Sequence, residues 1–210
     1  MAITLGLTLA SALPNEWAPE PCLDLINTRF NDHLGSGTVH DRLPLPVWRR
    51  AFLKHWNYRV EDPDDPVAVA GLAALRTLLR KALVRYSEGG ALTAPARRQI
   101  ELEINRAPLV VRIVDQDGTQ GLTLQRAGQQ WDVVTADIAT SAMRLIGEHK
   151  RIKVCANASC SWMFEDESKS GSRRWCDVSI CGSLVNVRRH RARISRAARA
   201  AARSAGRTRA

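Results

Sequence analysis

Through much of the first 150 positions, apolar residues recur three and four apart, the period of helices that pack by one face. Val47 to Tyr58 places Trp48, Phe52 and Trp56 at i, i+4 and i+8. Asp65 is a helix cap and Pro66 suits the first helical position. The helix they open runs to about Tyr86, with Leu72, Leu75, Leu79 and Leu83 along its buried side, and Gly89-Gly90 stops it. Thr93 caps another helix, Pro95 to Arg106. Asp132 to Ile146, apolar at Val133, Ile138, Met143, Leu145 and Ile146, ends at Gly147. Pro21 to Phe30, apolar at Cys22, Leu23, Leu25 and Ile26, predicts the start of a buried helix. Two stretches break the helical period. Leu109 to Asp115 and Gly121 to Arg126 flank Gln116-Asp117-Gly118, a hairpin signal. Asn31 to Pro46 is rich in Gly, Pro, Asp and His and predicts a loop. Met1 to Leu13 is apolar and uncharged, and reads as a first strand or a frayed tail.

These elements predict an α+β protein. Residues 1–147 form a mainly helical domain with a small antiparallel β element, long enough for one core. Residues 148–195 form a satellite module, and residues 196–210 an Arg/Ala-rich tail without fixed structure. No apolar run is long enough to span a bilayer. The N-terminus has no basic segment of the kind that opens a secretion signal, which points to a cytoplasmic protein. A reducing compartment in turn makes clustered cysteines metal ligands more often than disulfides.

Four of the five cysteines are clustered: Cys155-x4-Cys160, fifteen residues, then Cys176-x4-Cys181. Two short-loop pairs joined by a longer connection suit the tetrahedral soft-ligand demand of zinc. An iron–sulfur cluster also takes four cysteines. The spacing and charged surroundings favour a single structural Zn2+, and with every corner filled by sulfur there is no open position for catalytic water. Cys22, alone in an apolar setting, reads as a buried thiol. Trp162, Phe164 and Trp175 read as core beside the metal. Residues 1–150 show no phosphate loop, nucleophile elbow or metal-binding His pair, so no catalytic residues are assigned.

The stretch Arg151 to Ser168, the segment Ser172-Arg-Arg-Trp-Cys176-Asp-Val-Ser-Ile-Cys181-Gly182, and Arg188 to Arg193 together resemble the CGNR zinc finger. Leu23-Asp-Leu-Ile-Asn-Thr-Arg29 resembles the motif that opens the ABATE domain, which usually precedes that finger. The resemblance implies a bacterial stress-induced transcription regulator with a treble-clef or ribbon-like four-cysteine finger. One departure stands out: where the family name implies Cys-Gly-Asn-Arg, this chain has Cys181, Gly182, Ser183 and Leu184.

Charge sharpens the functional reading. The chain carries a net +10; residues 1–150 hold 17 basic and 17 acidic groups, residues 151–210 hold 14 and 4. After Cys181 there are nine Arg and no acid. Such asymmetry points to a polyanionic partner. Ser183 reads as the cap of a final helix. At 100° per residue, Leu184, Val187, Ile194 and Ala198 fall on one side and Arg189, Arg193, Arg196, Arg203 and Arg207 on the other. The apolar stripe is expected to pack on the finger and the arginines to face phosphate. Arg173, Arg174, Arg188, Arg189, Arg193 and Arg196 are the candidate nucleic-acid contacts. DNA is favoured over RNA. The neutral domain would sense a small-molecule ligand or form a homodimer, and Asp24, Asn27, Thr28 and Arg29 are candidate pocket residues. The competing reading makes residues 1–150 a small-molecule binder or enzyme with an accessory finger.

Overall fold

The computed structural model of the chain describes residues 13, 14, 16–117 and 119–207. The expected first strand or tail lies outside them, apart from Leu13. The first helix, α1 (Pro21–Ile26), is buried at every position. It ends earlier than its apolar run suggests, because the chain turns at Asn27 and becomes a strand. That strand, β1 (Arg29–Asn31), pairs antiparallel with β2 (Val39–Asp41), Arg29 lying opposite Asp41. The segment expected to be a plain loop is therefore largely a hairpin. Its turn is set by Asp32, whose carboxylate accepts the Leu34 and Ser36 N–H groups, and by Gly35 at φ 90°. Three-residue strands are too short to show an alternating pattern.

Helix α2 (Pro46–His55) buries Trp48 and Phe52, stacked at 4.9 Å. Helix α3 (Pro66–Ser87) is capped by Asp65, which accepts the Val67 N–H at 2.9 Å, and Leu72, Leu75, Leu79 and Leu83 are buried as the spacing predicts. Helix α4 (Ala94–Ile104) is capped by Thr93. Helix α5 (Gln130–Gly147) buries Val134, Ile138, Ala142 and Leu145. Helices α1, α3 and α5 pack on one another, with α4 against α3 and α5. Between α4 and α5, strands β3 (Leu109–Gln116) and β4 (Thr119–Arg126) pair in unbroken register. This hairpin is exposed over most of its length and anchored at its base, where Arg126 donates to Ala107 O at 2.8 Å and Thr140 Oγ1 at 2.6 Å and pairs with Asp137.

The last third holds a third hairpin, β5 (Ile152–Val154) with β6 (Met163–Glu165). Ile152 and Met163 are buried in the same core as the leucines of α3. The main core therefore continues across residue 147 into the β5–β6 hairpin. A wide helical turn (Val178–Gly182) leads directly into α6 (Ser183–Arg207). Because the two are continuous, Ser183 is already helical, and the cap is Asp177, whose carboxylate accepts the Ile180 N–H at 2.8 Å. The helix runs on to Arg207, well into the segment expected to be a disordered tail; Ala and Arg, which dominate it, are among the strongest helix formers. Among the described residues, no helix is long and apolar enough to cross a membrane.

Candidate metal centre and basic helix

The four cysteine sulfurs all lie within 4.8 Å of one another. Cys160 and Cys176 Sγ are 3.9 Å apart, and Cys176 and Cys181 Sγ 3.8 Å. Zinc held by four sulfurs at about 2.3 Å in a tetrahedron sets them about 3.8 Å apart, so the quartet fits a single ion. Two knuckles produce this geometry. In the first, the β5–β6 hairpin brings Cys155 and Cys160 together: the Cys155 N–H donates to Trp162 O at 2.9 Å, and the Cys160 N–H to Asn157 O at 2.8 Å. In the second, the Asp177-capped turn carries Cys181 back towards Cys176, and the Gly182 N–H donates to Asp177 O at 3.1 Å. Phe164, Trp162 and Trp175 pack around the sulfurs, as expected of core aromatics. So close together, the sulfurs cannot all ionise unaided. Hydrogen bonds from Cys160 and Cys176 draw the Cys155 thiol down, and the same bonds push the other two up. A divalent cation removes that conflict.

Residues that the sequence reading did not single out hold the site in place. Asn157 is buried; its amide donates to His33 O at 3.1 Å and to Cys181 Sγ at 3.5 Å, so it links the first knuckle, the last ligand and the β1–β2 turn. Arg80 of α3 donates to Ser161 O at 2.7 Å, and its Nη1 is buried without a hydrogen-bond partner. Burial lowers its pKa, and the neighbouring Cys160 works the other way. A zinc tetrathiolate carries a net charge of about −2, which a half-buried guanidinium alongside would offset. The signal for Arg80 was present in the sequence: Arg76 and Arg80 stand one turn apart, directly beside the leucine stripe of α3. Lys153 donates to Asp166 at 2.5 Å, Gly171 O at 2.6 Å and Arg173 O at 3.1 Å, and so pins the long loop between the knuckles. Its ammonium holds the Asp166 carboxyl below the usual range.

The candidate nucleic-acid residues divide into two groups. Arg173 lies over Phe164 at 4.8 Å and donates to the carbonyls of Trp175 and Cys176, which makes it a brace of the second knuckle. Arg188 donates to Asn157 Oδ1 at 3.3 Å and to Leu34 O at 2.5 Å, clamping α6 onto the domain. Arg189, Arg193 and Arg196 are exposed on α6, and Arg193 Nη2 lies 3.4 Å from His190 Nδ1. Arg174 lies beside Trp175, 5.4 Å from its ring. The apolar stripe of α6 does not pack as expected. Val187 and Ile194 are exposed, because the helix leaves the finger after its first turn.

Three of the four candidate pocket residues have hydrogen-bond partners within the protein. Asp24 accepts the Ala18 N–H at 2.8 Å and the Trp56 indole N–H at 2.9 Å. Asn27 pairs with both backbone groups of Met163, donating at 2.8 Å and accepting at 2.9 Å. Thr28 donates to Leu25 O at 2.7 Å and accepts from Arg76. Arg29 is exposed in β1. These groups hold the domain together and fasten it to β6.

Asp24 nevertheless has a measurable signature. Burial pushes its carboxyl up to about 7, against the opposing hydrogen bonds from Ala18 and Trp56. The folded chain thus keeps a proton that the unfolded chain releases at about pH 4. The stabilisation from this group is complete below that pH and is lost as pH rises towards 7. Urea unfolding at pH 5 and pH 8 should show the wild type less stable at pH 8, with about 2 kcal/mol of the difference absent in Asp24→Asn. An identical pH dependence in the variant would rule Asp24 out as its source.

Together, the fold and the site define a zinc-finger protein whose four-cysteine module is built onto a helical α+β domain. The ABATE family model, described as "Putative stress-induced transcription regulator", matches residues 20–149, and the CGNR zinc finger model matches residues 151–194. The chain belongs to the ABATE family and carries a CGNR finger. No curated protein matches the sequence.

Proposed function

We propose that this protein is a DNA-binding transcription regulator that grips the duplex backbone with α6. The observation that carries the reading is the exposed row Arg189, Arg193 and Arg196 on a helix that contains no acidic residue. Guanidinium groups suit phosphate oxygens, and phosphate contacts supply affinity without sequence information. Ser183 and Leu184, standing where the family name has Asn and Arg, offer little for reading base edges. Binding is therefore expected to be strongly salt-dependent and only modestly selective. With about five arginines of the stripe each neutralising one phosphate, log K against log salt falls with a slope of about −4 to −5.

Fluorescence anisotropy on two unrelated duplexes, with a matched RNA, tests this. Arg189→Ala with Arg193→Ala should lower the slope by about two and weaken both duplexes alike. A slope near zero, or tighter binding to the RNA, would overturn the assignment. For residues 20–149, self-association is the role we favour over ligand sensing, because Asp24, Asn27 and Thr28 are engaged within the protein.

A further inference from the structure

Nothing within the described residues accounts for the outward face of the β3–β4 hairpin. The pairing sets Val111 opposite Leu124 and Ile113 opposite Leu122, with Leu109 on the same face nearer the base. These five side chains are 54–75% exposed. Together they offer roughly 600 Å² of apolar surface, at the upper end of what a monomer leaves in water. The reverse face sets Val110 opposite Gln125, Arg112 opposite Thr123 and Val114 opposite Gly121, and its two valines are half-buried. The five residues form an unbroken apolar strip between Asp115 near the tip and Arg126 at the base. A two-stranded sheet is at best marginally stable alone, and an exposed apolar sheet needs a cover.

We propose that this face is a homodimer surface, covered by the same face of a second copy of this chain. The occupant follows from area and charge. Two such faces pressed together bury roughly 1,200 Å² through these side chains alone, which reaches the lower end of specific interfaces. A two-fold axis sets like against like, and a strip without charge meets its own copy without repulsion. Two sheets stacked about 10 Å apart interdigitate such side chains as a small sandwich does. Nucleic acid would need cations on this face, and a membrane surface would call for aromatic anchors; the five residues supply neither. The proposal is independent of the nucleic-acid reading, because α6 takes no part in it.

Sedimentation equilibrium of the full zinc-loaded chain tests it. The wild type should be a dimer at micromolar concentration. Ile113→Lys with Leu122→Lys should raise the dimer dissociation constant by roughly 100-fold or more. Because none of the five residues belongs to the core, far-UV circular dichroism and zinc content should stay unchanged in that variant. Arg112→Glu, on the reverse face, should leave the dimer intact. A wild type that is monomeric at about 100 μM overturns the proposal. So does a dimer indifferent to the two lysines, or one that Arg112→Glu dissociates equally well. Binding of the monomeric chain to neutral lipid vesicles, lost in the double variant, would overturn it in favour of a membrane.

Discussion

Cys176→Ser is expected to strip the chain of zinc and release its polypeptide from the second knuckle onward, while residues 20–165 keep a cooperative fold. The asymmetry comes from what holds each half of the finger. The first knuckle rests on the domain: Ile152 and Met163 are in the main core, Asn27 grips Met163, and Arg80 holds Ser161. The second knuckle and α6 are held by polar ties, the Lys153 bonds to Gly171 O and Arg173 O, the Ala156 N–H to Arg174 O bond and the Arg188 clamp, and by the packing of Trp175 and Cys176 around the metal. Structural zinc contributes about 10–16 kcal/mol of apparent binding free energy, so its loss outweighs those attachments. Elemental analysis should give one zinc in the wild type and none in the variant. Limited proteolysis should then cut between residues 167 and 190 and spare a fragment ending near 165. DNA binding at low salt should disappear. If cooperative unfolding is lost altogether, the first knuckle depends on zinc too and the two halves are not independent.

Asp41→Ala should destabilise the chain by about 3–5 kcal/mol without touching the finger. Arg76 reaches Asp41 with two hydrogen bonds, of 2.6 and 2.8 Å, and Thr28 Oγ1 with a third of 2.6 Å, and all three residues are buried. Removing the carboxylate leaves a buried guanidinium unpaired, which costs far more than the pair itself contributes. Denaturant unfolding measures the loss. Adding Arg76→Met should restore most of it, since an apolar chain of similar length needs no partner. A single-mutant cost below about 1 kcal/mol would mean that water reaches Arg76.

The long helices were legible in the sequence because each carries its own evidence. The Leu72-Leu75-Leu79-Leu83 stripe, the Asp65 and Thr93 caps and the stop at Gly89-Gly90 are local signals, and the structure keeps each of them. The cysteine quartet was legible for the same reason, since ligand type and spacing are both local. Roles that depend on distant partners were hidden. Asn27 and Asp24 look like pocket polars until Met163 and Trp56 are placed beside them, one of them 136 residues away. Arg173 and Arg188 belong to a basic run by composition, yet their partners are carbonyls in the knuckle and in the β1–β2 turn. The extent of α6 was underread because a polar, Arg-rich segment suggests disorder, although its Ala content favours helix.

The β5–β6 hairpin, rooted in the core, gives metal capture an order. Cys155 and Cys160 are presented as a ready-made chelate before zinc arrives, so the first two bonds form with little loss of chain entropy. Cys176 and Cys181 then close a ring over the fifteen residues between the pairs, a contribution that grows only slowly with loop length. If Cys176→Ser releases the second knuckle as expected, a chain without zinc would be a half-assembled receptor, with two sulfurs in position and a basic helix on a tether. Zinc supply would then act as a throttle on how much of the population has α6 fixed in place.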